Sequence, residues 1–181
     1  MARYVALLRG INVGGKNIIK MLALKTCFEE AGFKDVATFI QSGNVLFAAS
    51  GAAPALTKQI ESILGKAFSY QASVVLRSDK QLAEVVKNAP KGFGSQPAKY
   101  RYDVLFLKEP LTASEALKGV RTKPGVDTAH AGQGVLYFSR LISKATQSQL
   151  PRLTALPVYQ SLTIRNWNTT TQLLHLLFDE A

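Results

Sequence analysis

Tyr4 to Leu8 is an unbroken apolar run of the length a strand buried on both faces requires, and the glycine-rich segment Gly10 to Lys16 that follows it reads as a loop. From Met21 the apolar positions Met21, Leu24, Cys27, Phe28 and Ala31 recur at helical spacing until Gly32 supplies a stop. Two short runs, Val36 to Ile40 and Val45 to Phe47, flank Gln41-Ser42-Gly43-Asn44, whose Gly and Asn tolerate the positive φ of a reversal; they predict a hairpin. Pro54 opens a second helix with Leu56, Ile60, Ile63 and Leu64 on one face, and Ser73 to Leu76 is a strand. Ser78 with Gln81 forms the capping box of a third helix. Strand, helix, strand, strand, helix, strand is the split βαβ, or ferredoxin-like, order.

The pattern then repeats. Val104 to Leu107 predicts a strand, Thr112 with Glu115 caps a short helix, and Val126 to Ala129 and Val135 to Phe138 bracket a Gly132-Gln133-Gly134 turn. Leu150, Leu153 and Leu156 mark another short helix, with Pro151 in its first turn. Leu162 to Ile164 is a last strand, and Asn168 caps a terminal helix. Between the halves, Lys87 to Arg101 carries four basic residues, no acidic one, two prolines and two glycines. The expectation is an α+β protein of two ferredoxin-like subdomains, 1–90 and 101–181, each with an antiparallel sheet and an added helix, joined by a basic linker at 91–100.

Composition narrows the class. The 181 residues are 47% apolar and only 19% charged, which excludes a disordered tail. An excess of 22 Lys and Arg over 12 Asp and Glu leaves +10, which favours anionic partners. Cys27 is the single cysteine and has only His130 and His175 for company, so neither a disulfide nor a zinc cage can be built, and a reducing cytoplasm is the natural home. Arg9 ends the first apolar run before it reaches signal-peptide length, and the longest uncharged stretch is punctuated by Gly, Asn and Pro, so no membrane association is expected.

Three motifs could carry chemistry. Gly10-Ile11-Asn12-Val13-Gly14-Gly15-Lys16 fits the spacing of a P-loop, but Asn17 stands where a magnesium-binding hydroxyl is needed, and the hairpin implies an antiparallel sheet. A plain anion site is the milder alternative, and an ordinary glycine turn the mildest. In a ferredoxin-like sheet the end of the first strand lies beside the hairpin joining the second and third, so Arg9, Asn12, Gly14, Gly15, Lys16 and Asn17 should share an edge with Gln41, Ser42 and Asn44. Arg165-Asn166-Trp167 holds the only tryptophan. Arg165 could offer a planar fork to an anion while Trp167 stacks on a ring, or the pair could simply anchor a strand-to-helix joint. Strand three lacks the paired aromatics of an RNA-recognition motif, and no carboxylate pair or carboxylate–His set stands out for acid–base work. Binding of an anionic ligand, nucleic acid or nucleotide, is therefore the leading expectation. The alternative is an enzyme acting on an anionic metabolite, with Lys16 or Arg165 stabilising charge. The residues point to no cofactor and set no oligomeric state.

The stretches Tyr4 to Asn17, Ile40 to Val45 and Arg165 to Thr169 together resemble the bacterial family called domain of unknown function 1697. That resemblance implies two α/β-plait subdomains. It implies no activity and transfers no catalytic residue.

Overall fold

The computed structural model describes residues 1–179; the last two positions of the second expected subdomain lie outside the described residues. The elements run β1 (Ala2–Leu8), α1 (Met21–Glu30), β2 (Lys34–Phe39), β3 (Asn44–Ala49), α2 (Ala53–Phe68), β4 (Val74–Ser78) and α3 (Asp79–Lys87), followed by β5 (Tyr100–Leu107), α4 (Ala113–Gly119), β6 (Asp127–Ala131), β7 (Val135–Leu141), β8 (Leu162–Asn166) and α5 (Trp167–Asp179). They form an α+β protein with two four-stranded sheets, ordered β2-β3-β1-β4 and β6-β7-β5-β8. Every strand pairing is antiparallel. Compact units divide the chain into Met1–Leu82 with the segment from Leu173 on, and Ala83–Gln172.

In the first unit, alternation along the strands sends Tyr4, Ala6 and Leu8 of β1 and Val45 and Phe47 of β3 into one core with Leu24 and Phe28 of α1 and Leu56, Ile60 and Leu64 of α2. Phe28, Phe33 and Phe47 meet pairwise at 4.8 to 5.6 Å between ring centroids, in the tilted geometry that aromatic quadrupoles favour. Pro54 sits in the first turn of α2.

In the second unit, Leu105 and Leu107 of β5, Leu136 and Phe138 of β7 and Leu162 of β8 build the corresponding core under Ala116 of α4. Thr112 and Glu115 form the expected reciprocal capping box. The helix expected over Leu150 to Leu156 is instead a series of 3-10 turns, Ile142–Gln147, Leu150–Ala155 and Pro157–Ser161. Pro151 and Pro157 remove two backbone donors, and Leu156, which precedes a proline, is held extended at φ −94°, ψ 145°. The chain between α3 and β5 runs as turns, and Phe93 within it packs edge-on against Tyr102, Tyr137 and Trp167.

The repeat extends to side-chain detail. Arg77 pairs in register with Val5, and its Nη1 donates to the carbonyl of Leu76 at 2.9 Å. Arg165 pairs with Val104, and its Nη1 donates to the carbonyl of Ile164 at 2.8 Å. The next residue caps a helix in both units: the Ser78 hydroxyl accepts from the N–H of Gln81, and the Asn166 side chain from that of Thr169. The cap expected at Asn168 therefore falls to Asn166, and Asn168 lies inside the first turn of α5.

Candidate functional site

The glycine loop meets the hairpin, and amide side chains join them. Asn12 Nδ2 donates to the carbonyls of Ile19 at 3.1 Å and Gln41 at 2.8 Å, while its Oδ1 accepts from the Ile19 N–H at 2.8 Å. Asn17 donates to the Gly10 carbonyl, and the fully buried Asn44 to the Phe39 carbonyl and the Ser42 hydroxyl. These amides hold the loop rather than line an open site. Between Asn12 and Asn17 the backbone closes a two-residue turn: the Lys16 N–H donates to Val13 and the Asn12 N–H to Asn17. Its central residues, Gly14 at φ 59° and Gly15 at φ 73°, adopt the left-handed pair that a type I′ turn demands. Lys16 and the Gln41 side chain are exposed, and Arg9 is half-buried. No helix starts at Lys16, since α1 begins at Met21, and the sheet is antiparallel throughout, so the context a P-loop needs is missing.

Arg165, Asn166 and Trp167 belong to the second unit. Arg165 is only 6% exposed and spends Nη1 on the Thr163 hydroxyl and the Ile164 carbonyl. Burial pushes its pKa down to about 10, so it stays charged at neutral pH as an interior clasp, not as a fork turned toward a ligand. Asn166 and Trp167, by contrast, line a cleft of about 490 Å³ with Arg101, Asp103 and Arg140, flanked by Tyr100 and Tyr102. That volume is typical of small-molecule sites.

Strand register explains how the cleft's charges gather. Arg101 and Asp103 precede Leu105 and Leu107 at period two and so continue the core-facing side of β5; Arg140 does the same after Leu136 and Phe138 on β7. Arg101 stands directly opposite Arg140, and Asp103 directly opposite Asn166. Like charges paired across a ladder repel one another. Burial raises the pKa of Asp103, against the lowering influence of Arg140 and Arg101. Among the described residues the buried Arg140 Nε has no hydrogen-bond partner. On its other side Arg140 faces Asp127, whose carboxylate already accepts from the Ser148 hydroxyl at 2.6 Å and from the N–H groups of Lys123 and Gln149. The Trp167 indole is held by close neighbours: Phe93 meets it at 5.1 Å and 87°, and a Cβ on Gly94 would fall 2.3 Å from Nε1.

Arg101, Asp103 and Arg140 are the cleft residues that the sequence reading missed as a site. Their signal was present, as charged positions that keep the inward register of an apolar strand. Among the described residues no group of three or more His, Cys, Asp and Glu could hold a metal ion, and no helix is long and apolar enough to cross a membrane. Burial and the neighbouring Glu30 both raise the pKa of Cys27, which disfavours a thiolate nucleophile.

A structure of this kind, two antiparallel α+β units in one chain, is matched by a conserved bacterial protein, SP0830 from Streptococcus pneumoniae. The two are 26% identical and superpose with a TM-score of 0.86 over 97% of this chain and 98% of that one. The sequence profile of the family described as "Protein of unknown function (DUF1697)" matches residues 1–137, and the chain belongs to that family. The matched region includes Arg101 and Asp103 and ends before Arg140 and Trp167. No curated protein matches the chain.

Proposed function

We propose that this is a cytoplasmic, anion-binding protein built from two ferredoxin-like units, and that its ligand is a nucleotide held in the cleft of the second unit. The sheet order β2-β3-β1-β4 with α1 and α2 supports the fold reading, and the second unit follows it with 3-10 turns in place of its second helix. The observation that carries the ligand reading is the pairing of Arg101 against Arg140 in the lining of a cleft that also holds the only tryptophan. An anion between two guanidinium groups relieves their repulsion, and a planar fork suits phosphate oxygens. The indole offers a stacking surface for a base.

Trp167 reports on this reading directly. Nucleoside monophosphates are expected to change its emission saturably, and Arg101→Ala or Arg140→Ala to weaken binding by roughly tenfold or more, as the loss of a charge-assisted hydrogen bond does. The logarithm of affinity should fall with the logarithm of salt at a slope near −1; a slope steeper than about −3 would make the ligand an oligonucleotide. A second reading keeps the anion at the first unit's glycine-loop edge, because Lys16 is exposed and no described residue beyond the adjoining positions comes within 4 Å of a Cβ built on Gly14 or Gly15. It requires Arg9→Ala with Lys16→Ala to abolish binding while the cleft variants leave it intact.

A further inference from the structure

The cleft contains a carboxylate as well as two cations, so a simple anion does not complement it. Asp103 sits half-buried on the core-facing side of β5, two residues after Arg101 and across from Asn166. Among the described residues none offers its side chain a hydrogen bond, and although Arg140 and Arg101 influence it electrostatically, neither makes an ion pair with it. A partly desolvated carboxylate with unused acceptor positions is costly to keep, and a ligand that brings donors to it recovers that cost. The ligand must therefore present N–H donors to Asp103, an anion to Arg101 and Arg140, and a flat ring to Trp167.

Resting on the nucleotide reading above, we infer that the cleft selects guanine nucleotides, with Asp103 accepting the adjacent N1–H and N2–H donors of the base while the two arginines take the phosphate. A carboxylate has two parallel acceptors, and the guanine edge supplies two parallel donors to meet them. Adenine presents its N6–H donor beside the N1 acceptor, and cytosine its N4–H donor beside the N3 acceptor, so each would set a lone pair against a carboxylate oxygen. A site built on hydrogen bonds rejects analogues that lack the matching group far more strongly than an apolar pocket does. Hypoxanthine keeps N1–H and lacks the N2 amine, so it ranks between guanine and adenine.

The test uses the full chain, following Trp167 fluorescence and calorimetric heat with GMP, IMP and AMP. GMP is expected to bind at least tenfold more tightly than AMP, with IMP between them. Asp103→Asn is expected to bring GMP and AMP within about twofold of each other, whereas Arg101→Ala weakens both alike. Equal binding of GMP and AMP by the unaltered protein overturns the guanine inference and leaves the nucleotide reading standing. Binding of neither overturns both. If Asp103→Asn fails to fold, as circular dichroism would show, the ranking of GMP, IMP and AMP on the unaltered chain decides the matter alone.

Discussion

Asp103 illustrates how one residue can be placed against stability. Its pKa is raised by burial, so the folded chain holds the proton more tightly than the unfolded chain does. Stability then falls as pH rises from the ordinary carboxylate range through the raised value, because the ionised form must be buried. Asp103→Asn is accordingly expected to raise the Tm of the ligand-free protein at pH 7, with the gain shrinking to nothing as pH drops below the ordinary aspartate value, as thermal melts across pH would record. Arg165 differs. Equally charged and more deeply buried, it is tied to a hydroxyl and a carbonyl, and it is charged in both states over the same range. From sequence, Arg165 reads as a ligand contact or the anchor of a joint, and Arg101 as the last of a run of basic residues, while Asp103 carries no role at all. An arginine beside a tryptophan is conspicuous in a string of letters, whereas inward register becomes meaningful only when the neighbouring strand is in place.

At the scale of elements, most of the fold was legible. Tyr4 to Leu8 and Val104 to Leu107 are apolar without interruption because central strands are covered on both sides. The boxes at Ser78 and Thr112 announced α3 and α4 through local chemistry that needs no tertiary partner. The stretch from Leu150 to Leu156 misled because leucines three apart satisfy a 3-10 turn as well as an α-helix. Asn168 misled because a strand can lead into a helix without an intervening loop, which moves the cap back to the strand's last residue. Asn166→Ala should cost about 1 kcal/mol in urea unfolding, the usual value of an N-cap, while Asn168→Ala should cost a few tenths at most. The glycine loop was correctly set beside the hairpin, but its amides could be counted as open donors only while the carbonyls of Gly10, Ile19 and Gln41 were out of view.

For the molecule as a whole, the net charge of +10 acts on approach rather than on fit. Screening at 0.1 M salt reduces the reach of that field to about 10 Å, so the association rate of a nucleotide, measured by stopped-flow on Trp167, should drop severalfold between low and physiological ionic strength while dissociation changes little. The turn at Gly14 and Gly15 has a practical consequence of another kind. The Asn12 amide and the Asn12–Asn17 backbone bond anchor the loop at its base, and among the described residues nothing beyond the adjoining positions lies within 4 Å of a Cβ built on Gly14 or Gly15. The chain can be lengthened there at only a loop-closure cost, which grows slowly with the number of residues added. A short Gly-Ser epitope or dye-bearing peptide spliced between Gly14 and Gly15 should leave the melting curve nearly unchanged, giving the protein a built-in attachment point for immobilising it or tracking it in cells.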